Sequence, residues 1–329
     1  MSKTLLATFA ICLFILALSE PGTERRAIAS AQHCEQSGLR KISMSVIRKE
    51  GEPVDTLRPE DLAIFENKAS GEILKLERGM NETLSVAILI DTSASQQGSL
   101  GGTKLAAQKF AGSILQNGKN HVALISFSGA ATVEQELTND LAKLRAAIDR
   151  IKFIAPTGYV GAAVVIGGLP PIPVRMPAGG ATAIWDTIKF TTDGILQSLD
   201  GSRGVILLLS DGEDTNSKTK MRDVIVHAAA QDIAIFSVGI GDDNNYGLNR
   251  EKLNKVSEET GGRAFFPKKV KELDVTLREI EQQLRSPYFL TYCTLDQRTI
   301  GSLLKIKIGI RNPQLRHSKL RLLYPHFGL

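Results

Sequence analysis

The sequence predicts a doubly wound α/β domain over residues 82–285, set into a small β domain made from the two flanks, 32–81 and 286–329. Three observations carry this. Short apolar runs alternate with amphipathic stretches of helical period through the middle of the chain. Those runs are apolar on both faces, as strands of a parallel sheet covered by helices on each side must be. Towards both ends the period falls to two, the mark of half-buried strands.

The elements follow in order. Lys3 and an apolar run over 4–18 open the chain, and Ala29-Ser30-Ala31 fits the small-residue rule of a cleavage site, so residues 1–31 read as a signal peptide. The run is shorter than the roughly 20 residues a spanning helix needs. The chain is therefore expected to be exported, periplasmic or extracellular, with an uncleaved N-terminal anchor as its only route to a membrane. Cys12 lies within the apolar run, which leaves Cys34 and Cys293 in the mature chain. An oxidising compartment permits a disulfide between them that would tie the two ends together, worth about 2–4 kcal/mol. The alternative is two unrelated thiols.

Ile42, Met44 and Val46 alternate with Lys41, Ser43 and Ser45, and residues 62–65 form a second short strand after a turn at 49–52. The regular alternation then begins. A near-continuous apolar strand over 84–90 ends at Asp91. Leu105, Phe110 and Ile114 mark a helix, and 122–127 is apolar again. Leu141, Leu144, Ile148 and Ile151 have helical spacing, as do Ile184, Ile188, Ile195 and Leu199. A strand over 205–209 ends at Ser210-Asp211. Met221, Val224, Ile225 and Ala228 are helical, and 233–238 is a strand. A helix carrying Leu253 and Val256 is closed by Gly261-Gly262, and 264–266 is a short strand. Val270, Leu273, Leu277, Ile280 and Leu284 form an unbroken helical stripe. Finally Leu304, Ile306, Ile308 and Ile310 oppose Lys305, Lys307 and Arg311, Asn312-Pro313 interrupts, and Leu320 and Leu322 resume the strand period. Neither flank has enough strands to bury a core alone, so the two are expected to pack together.

Charge excludes one class of partner. The formal net charge is +5, from 40 Lys+Arg and 35 Asp+Glu, yet residues 301–329 alone hold six Lys or Arg and no acid. The excess is local to the terminal strands, where it blunts exposed sheet edges, and nucleic acid is not the expected partner.

Chemistry collects at strand ends, where a doubly wound sheet places its ligands. One tip offers Asp91, Ser93 and Ser95; Thr182 opens a helix; Asp211 closes another central strand. All are hard oxygen donors, suited to a divalent cation with several waters retained. Neutral hydroxyls leave such an ion underneutralised, so it would draw an external carboxylate into an open position. Each residue also has a plainer reading: Ser93, Ser95 and Thr182 as helix caps, and Asp211-Gly212 as a turn. Asp214, Asp242 and Asp243 also follow strand ends, as solvated turn residues or an auxiliary cation site. Asn81-Glu82-Thr83 is a glycosylation sequon.

The series Asp91-x-Ser93-x-Ser95, Thr182 and Asp211 resembles the metal-ion-dependent adhesion site of von Willebrand factor A domains, over roughly residues 82–285. The flanks, with Glu52-Pro53-Val54, Pro59-Glu60-Asp61-Leu62, Phe65-Glu66 and the run Pro287-Tyr288-Phe289-Leu290-Thr291-Tyr292, resemble the borders of exported bacterial proteins in the acidobacterial-type branch of that family. The resemblance implies a Rossmann-like fold in which Asp91, Ser93, Ser95 and Thr182 hold Mg²⁺ (or Mn²⁺ or Ca²⁺), with Asp211 acting directly or through water. It implies metal-dependent binding or adhesion to an acidic residue of a protein partner, without catalysis. A structural module with a fold-stabilising metal is the alternative. The segment 155–181 departs from the compact pattern with six glycines and five prolines. It carries Tyr159, Val165 and Met176 and is expected to form a partner-selecting rim.

Enzyme readings fit less well. A haloacid-dehalogenase-type phosphatase would need a second Asp where Ser93 stands. Gly239-Ile240-Gly241 has no third glycine at 244, and Gly101-Gly102-Thr103-Lys104 scrambles the order of a phosphate-binding loop. The five histidines show no ligand or nucleophile-base spacing, which leaves a metal-dependent phosphoesterase as the weaker alternative.

Overall fold

The computed structural model describes residues 39–49, 51–79, 82–153, 159–160, 163–164, 172–173, 182–196, 201–240, 248–268, 270–285, 287–294 and 303–328. The signal segment 1–31, Cys34, Asn81, Val165, Met176, Asp242 and Asp243 lie outside the described residues.

The elements run β1 (Leu39–Ile47), β2 (Leu62–Glu66), β3 (Ala69–Arg78), β4 (Thr83–Asp91), α1 (Leu100–Leu115), β5 (His121–Phe127), β6 (Ala131–Thr138) and α2 (Leu141–Arg150). Three two-residue strands follow, β7 (Tyr159–Val160), β8 (Ala163–Val164) and β9 (Ile172–Pro173). Next come α3 (Ile184–Thr191), β10 (Ser202–Ser210), α4 (Met221–Ala230), β11 (Ala234–Gly239), α5 (Arg250–Glu259), β12 (Ala264–Phe265) and α6 (Val270–Arg285). The chain closes with β13 (Tyr288–Thr294), β14 (Leu304–Ile310), α7 (Pro313–Arg316), β15 (Arg321–Leu323) and β16 (Phe327–Gly328).

A six-stranded α/β sheet in the order β12-β11-β10-β4-β5-β6 lies at the centre. Its strands are parallel except β6, which runs antiparallel to β5. The two-faced apolar pattern has the consequence expected of it. On β4, Val86, Ile88 and Ile90 face one core and Ala87 and Leu89 the other, while β10 divides Val205, Leu207 and Leu209 from Ile206 and Leu208 in the same way. Helices α1, α2 and α6 cover the first face through Phe110, Ile148 and Ile280. Helices α3, α4 and α5 cover the second through Ile188, Ile225 and Val256. Each such aliphatic or aromatic side chain contributes about 1.5–3 kcal/mol of burial. Leu105 turns outward and is exposed, so α1 packs through Phe110 and Ile114. The periodicity that carries Ile195 with Ile184 and Ile188 spans a change of helix type, since α3 gives way to a π turn at Thr192–Leu196.

The flanking strands form one antiparallel sheet in the order β15-β1-β13-β3-β2-β14-β16, so N-terminal and C-terminal strands interleave. Ile42 stands opposite Leu290 in the β1–β13 register. Met44, Ile64, Leu290, Tyr292 and Ile306 share the core of this sheet. The strand period of β14 is borne out, with Leu304, Ile306 and Ile308 buried and Lys305 and Lys307 exposed. The polar side of β1 is not solvated as the alternation implies. Ser43 and Ser45 are buried because that side faces the α/β domain: Ser43 Oγ donates to Asp232 Oδ1 at 2.7 Å and Ser45 Oγ to the Gln283 carbonyl at 3.2 Å.

Cys293 is buried and disulfide-bonded; its expected partner, Cys34, lies outside the described residues. No helix among the described residues is long and apolar enough to cross a membrane.

Candidate metal centre

The carboxyl ends of β4 and β10 are neighbours, and the turn after each supplies the polar groups of one tip. Asp91, the last residue of β4, is 1% exposed. Its Oδ1 accepts from the Ser93 amide at 2.9 Å and its Oδ2 from Ser210 Oγ at 2.7 Å. Ser210 also accepts from the Gly212 amide at 3.0 Å, which locks the end of β10 to the end of β4. Ser93 precedes a single 3₁₀ turn, Ala94–Gln96, but its side chain makes no cap bond. Its hydroxyl lies instead 3.1 Å from Ser95 Oγ. The capping role that a serine at this position suggests is therefore not what the Ser93 side chain does. The alternating positions of the D-x-S-x-S run bring the two hydroxyls together.

Asp211 is buried immediately beyond β10. Its Oδ1 accepts from the Glu213 amide and its Oδ2 from Gln96 Nε2, each at 2.9 Å. The plainer turn reading thus holds for one of its oxygens. Gly212 takes φ +83°, a conformation open to glycine, and Leu253 and the Asn249 carbonyl crowd the place a Cβ would fill.

Thr182 is buried and joins the tip through the loop that starts at Asp211. Its amide donates to Thr215 Oγ1 at 2.9 Å, and its carbonyl accepts from the amides of Thr215 and Asn216 at 2.9 and 3.0 Å. Thr182 is not the cap of α3; that position is Ala183, whose side chain cannot cap. The loop supplies the cap instead. Asp214 Oδ1 accepts from the Ile184 amide at 2.8 Å, and Ser217 Oγ from the amides of Trp185 and Asp186 at 3.0 and 3.1 Å. Asp186 returns the contact by accepting from the amides of Lys218 and Thr219 at 2.9 and 2.8 Å. Asp214, read from the sequence as a solvated turn residue or auxiliary ligand, is a cap supplied from another segment. Nothing in the spacing marks it, because its partner is 30 residues away. Gln96 was likewise not legible: it is 2% exposed and spans Asp211 and the Ile240 carbonyl.

The electrostatics are lopsided. Burial, then the charge of Asp211, push the Asp91 carboxyl up from 3.8 to about 7, against the hydrogen bonds from Ser93 and Ser210. Burial also raises Asp211, opposed by Ser95, the Glu213 amide and Gln96. Among the described residues no Lys, Arg or His pairs with either carboxylate. Two buried carboxylates side by side without a cation are costly, and a divalent ion is the natural counter-charge. The donor set fits a hard cation, with carboxylate and hydroxyl oxygens and room for waters on the exposed Ser95 side. Among the described residues there is no cluster of three or more His, Cys, Asp or Glu suited to a metal, so a site here rests on hydroxyls. That composition disfavours zinc-type tetrahedral N/S coordination.

The segment 155–181 is not wholly irregular, since β7, β8 and β9 pair as a small antiparallel sheet. Two-residue strands leave no alternation to read. Tyr159 stands on β7 opposite Val164.

Two models of the von Willebrand factor type A domain match the chain, one over residues 86–213 and one over residues 173–283. No curated protein matches it in sequence. Among solved structures, it is similar to an aerotolerance-related membrane protein from Bacteroides fragilis, at 17% identity and TM-score 0.43, over 61% of this chain and 98% of that one. It is similar to the conserved hypothetical protein BatB from Bacteroides thetaiotaomicron, at 18% identity and TM-score 0.43, over 62% and 100%. Proximal thread matrix protein 1 from the mussel byssus, in a structure with a zinc-occupied adhesion-site motif, is 14% identical with TM-score 0.48, over 67% of this chain. The chain spans 50% of the length of that mussel protein.

Proposed function

Starting from a chain that contains a von Willebrand factor type A domain, we propose that the tip formed by Asp91, Ser93, Ser95, Thr182 and Asp211 is a metal-ion-dependent adhesion site that captures a protein partner through an acidic residue. The observation that carries this reading is the buried Asp91–Asp211 pair, without a described cationic neighbour and beside two hydroxyls in mutual contact. Mg²⁺ or Mn²⁺, when bound, would supply an electrophilic centre with a coordination position for an outside carboxylate. The chain's own residues do the rest. Ser210 and the Ser93 amide orient Asp91, Gln96 orients Asp211, and Asp214 and Ser217 fix the helix that follows Thr182. We read the tip as a binding site without catalysis: Ser210, which donates to Asp91, is fully buried and orients that carboxylate rather than meeting a substrate. The segment 155–181 runs into Thr182, and we assign it the role of partner-selecting rim in an exported, periplasmic or extracellular protein.

Selection of displayed random peptides on the immobilised chain in Mg²⁺, with elution by chelator, tests this. Enriched peptides should share an Asp or Glu, should not bind Asp91→Ala, and should change when 158–178 is replaced by a Gly-Ser linker. Peptides that lack a carboxylate, or that stay bound in chelator, would overturn it.

A further inference from the structure

The junction between the antiparallel sheet and the α/β domain holds a cleft of about 240 Å³ lined by Ile47, Arg48, Lys49, Arg263, Lys319 and Arg321. Three separate segments bring the five cations together. Arg48 and Lys49 sit in the turn after β1, closed by Gly51 at φ +94°. Arg263 follows Gly261-Gly262 and leads into β12. Lys319, itself at φ +47°, and Arg321 flank the start of β15, which pairs with β1.

Blunting of a sheet edge accounts for Lys319 and Arg321, since β15 is the edge strand. It does not account for Arg48 and Lys49, which sit in the turn after the inner strand β1, nor for the convergence on them of Arg263 from the edge of the other sheet. Arg263 is also prepared for a ligand. It is half-buried, it lies 4.6 Å over the Phe265 ring, and Glu279 holds it at 3.4 Å. Burial lowers its affinity for its proton, with the charge of Arg321 acting the same way and Glu279 and Glu258 acting against. A planar guanidinium fixed in this manner presents a fork for a tetrahedral or planar anion at little entropic cost. Among the described residues, Arg48, Lys49, Lys319 and Arg321 make no ion pair, so the positive charge at the cleft is left for an outside group.

We propose that this cleft binds a phosphate-bearing anion of one or two phosphoryl groups, the size its volume accepts. The reading is independent of the metal tip, with which it shares no residue. The same chemistry is offered by phosphate in solution and by a phospholipid headgroup.

Thermal unfolding is followed against inorganic pyrophosphate at constant ionic strength, with excess chelator in every sample so that metal stripping contributes nothing. The wild type should show a saturable rise in Tm. The pair Lys319→Gln and Arg321→Gln should bind at least about tenfold more weakly, and its ligand-free Tm should be equal or higher because like charges have been removed. Arg263→Lys keeps the charge but loses the fork, and should also bind about tenfold more weakly. Co-sedimentation with phosphatidylglycerol against phosphatidylcholine vesicles separates the sources. Pelleting with phosphatidylglycerol that the double variant loses supports a headgroup, and pyrophosphate binding without pelleting supports a soluble anion. Absence of both, or a double variant that retains wild-type affinity, overturns the proposal.

Discussion

Asp91→Asn should stabilise the metal-free protein and abolish its response to metal, two effects of opposite sign from one substitution. The side chain keeps its shape and loses its charge. In the folded, metal-free protein the carboxyl is raised from 3.8 to about 7, chiefly by burial and then by Asp211. A raised acid pKa means that ionisation opposes folding. The cost is absent below about pH 4, grows as pH rises towards 7, and is complete above it. Three units at about 1.4 kcal/mol each set a ceiling of roughly 4 kcal/mol at pH 8. Relaxation and water entry will reduce this, so a gain of roughly 1–4 kcal/mol is expected, or several degrees in Tm for a domain of this size. Circular dichroism melts at pH 8, with chelator and with excess Mg²⁺ or Mn²⁺, read both effects. The wild type in chelator should lose stability as pH rises from about 4 to about 7, and the variant should lose less, keeping only the part owed to Asp211 and Asp232, whose carboxyls burial also raises. A variant that melts at or below wild type in chelator, or that still gains Tm from Mg²⁺, would refute the reasoning.

Other substitutions separate the tip from its supports. Asp214→Ala removes one of the two side chains that cap α3, leaving Ser217, and should cost about 1 kcal/mol in urea unfolding while weakening Mn²⁺ binding through Thr182. Gly212→Ala places a Cβ 2.7 Å from Leu253 Cγ at a positive φ, and should cost about 1–3 kcal/mol and lower metal affinity by titration. Tyr292→Phe, remote from the tip, removes the 2.7 Å hydrogen bond to buried Glu66 and should cost about 1–3 kcal/mol with metal affinity unchanged.

What the sequence revealed and what it hid divide along physical lines. Strands β4, β10 and β11 were legible because their central residues are buried on both faces and their runs are nearly continuously apolar. Helix α6 was legible because Leu273, Leu277, Ile280 and Leu284 mark a single stripe. Strand β6 was not, because it is only half-buried and its pairing with β5 shifts register twice, so no period of two survives. At the tip, residues within one short motif could be read from spacing. The groups that hold them could not: Gln96 meets Asp211 across 115 residues, Ser210 meets Asp91 across 119, and Ser43 meets Asp232 across 189. Such partners depend on topology, and a local pattern carries no record of them. The buried Ser43 and Ser45 make the same point, since small polar residues on a strand look solvated until a second domain covers them.

The most direct measurement is anomalous diffraction from crystals of the protein soaked in Mn²⁺. One strong peak should stand at the tip beside the oxygens of Asp91, Ser93 and Ser95, and it should be lost in Asp91→Asn. A map with no peak there, while Mn²⁺ binds elsewhere on the chain, would contradict a metal site at the tip.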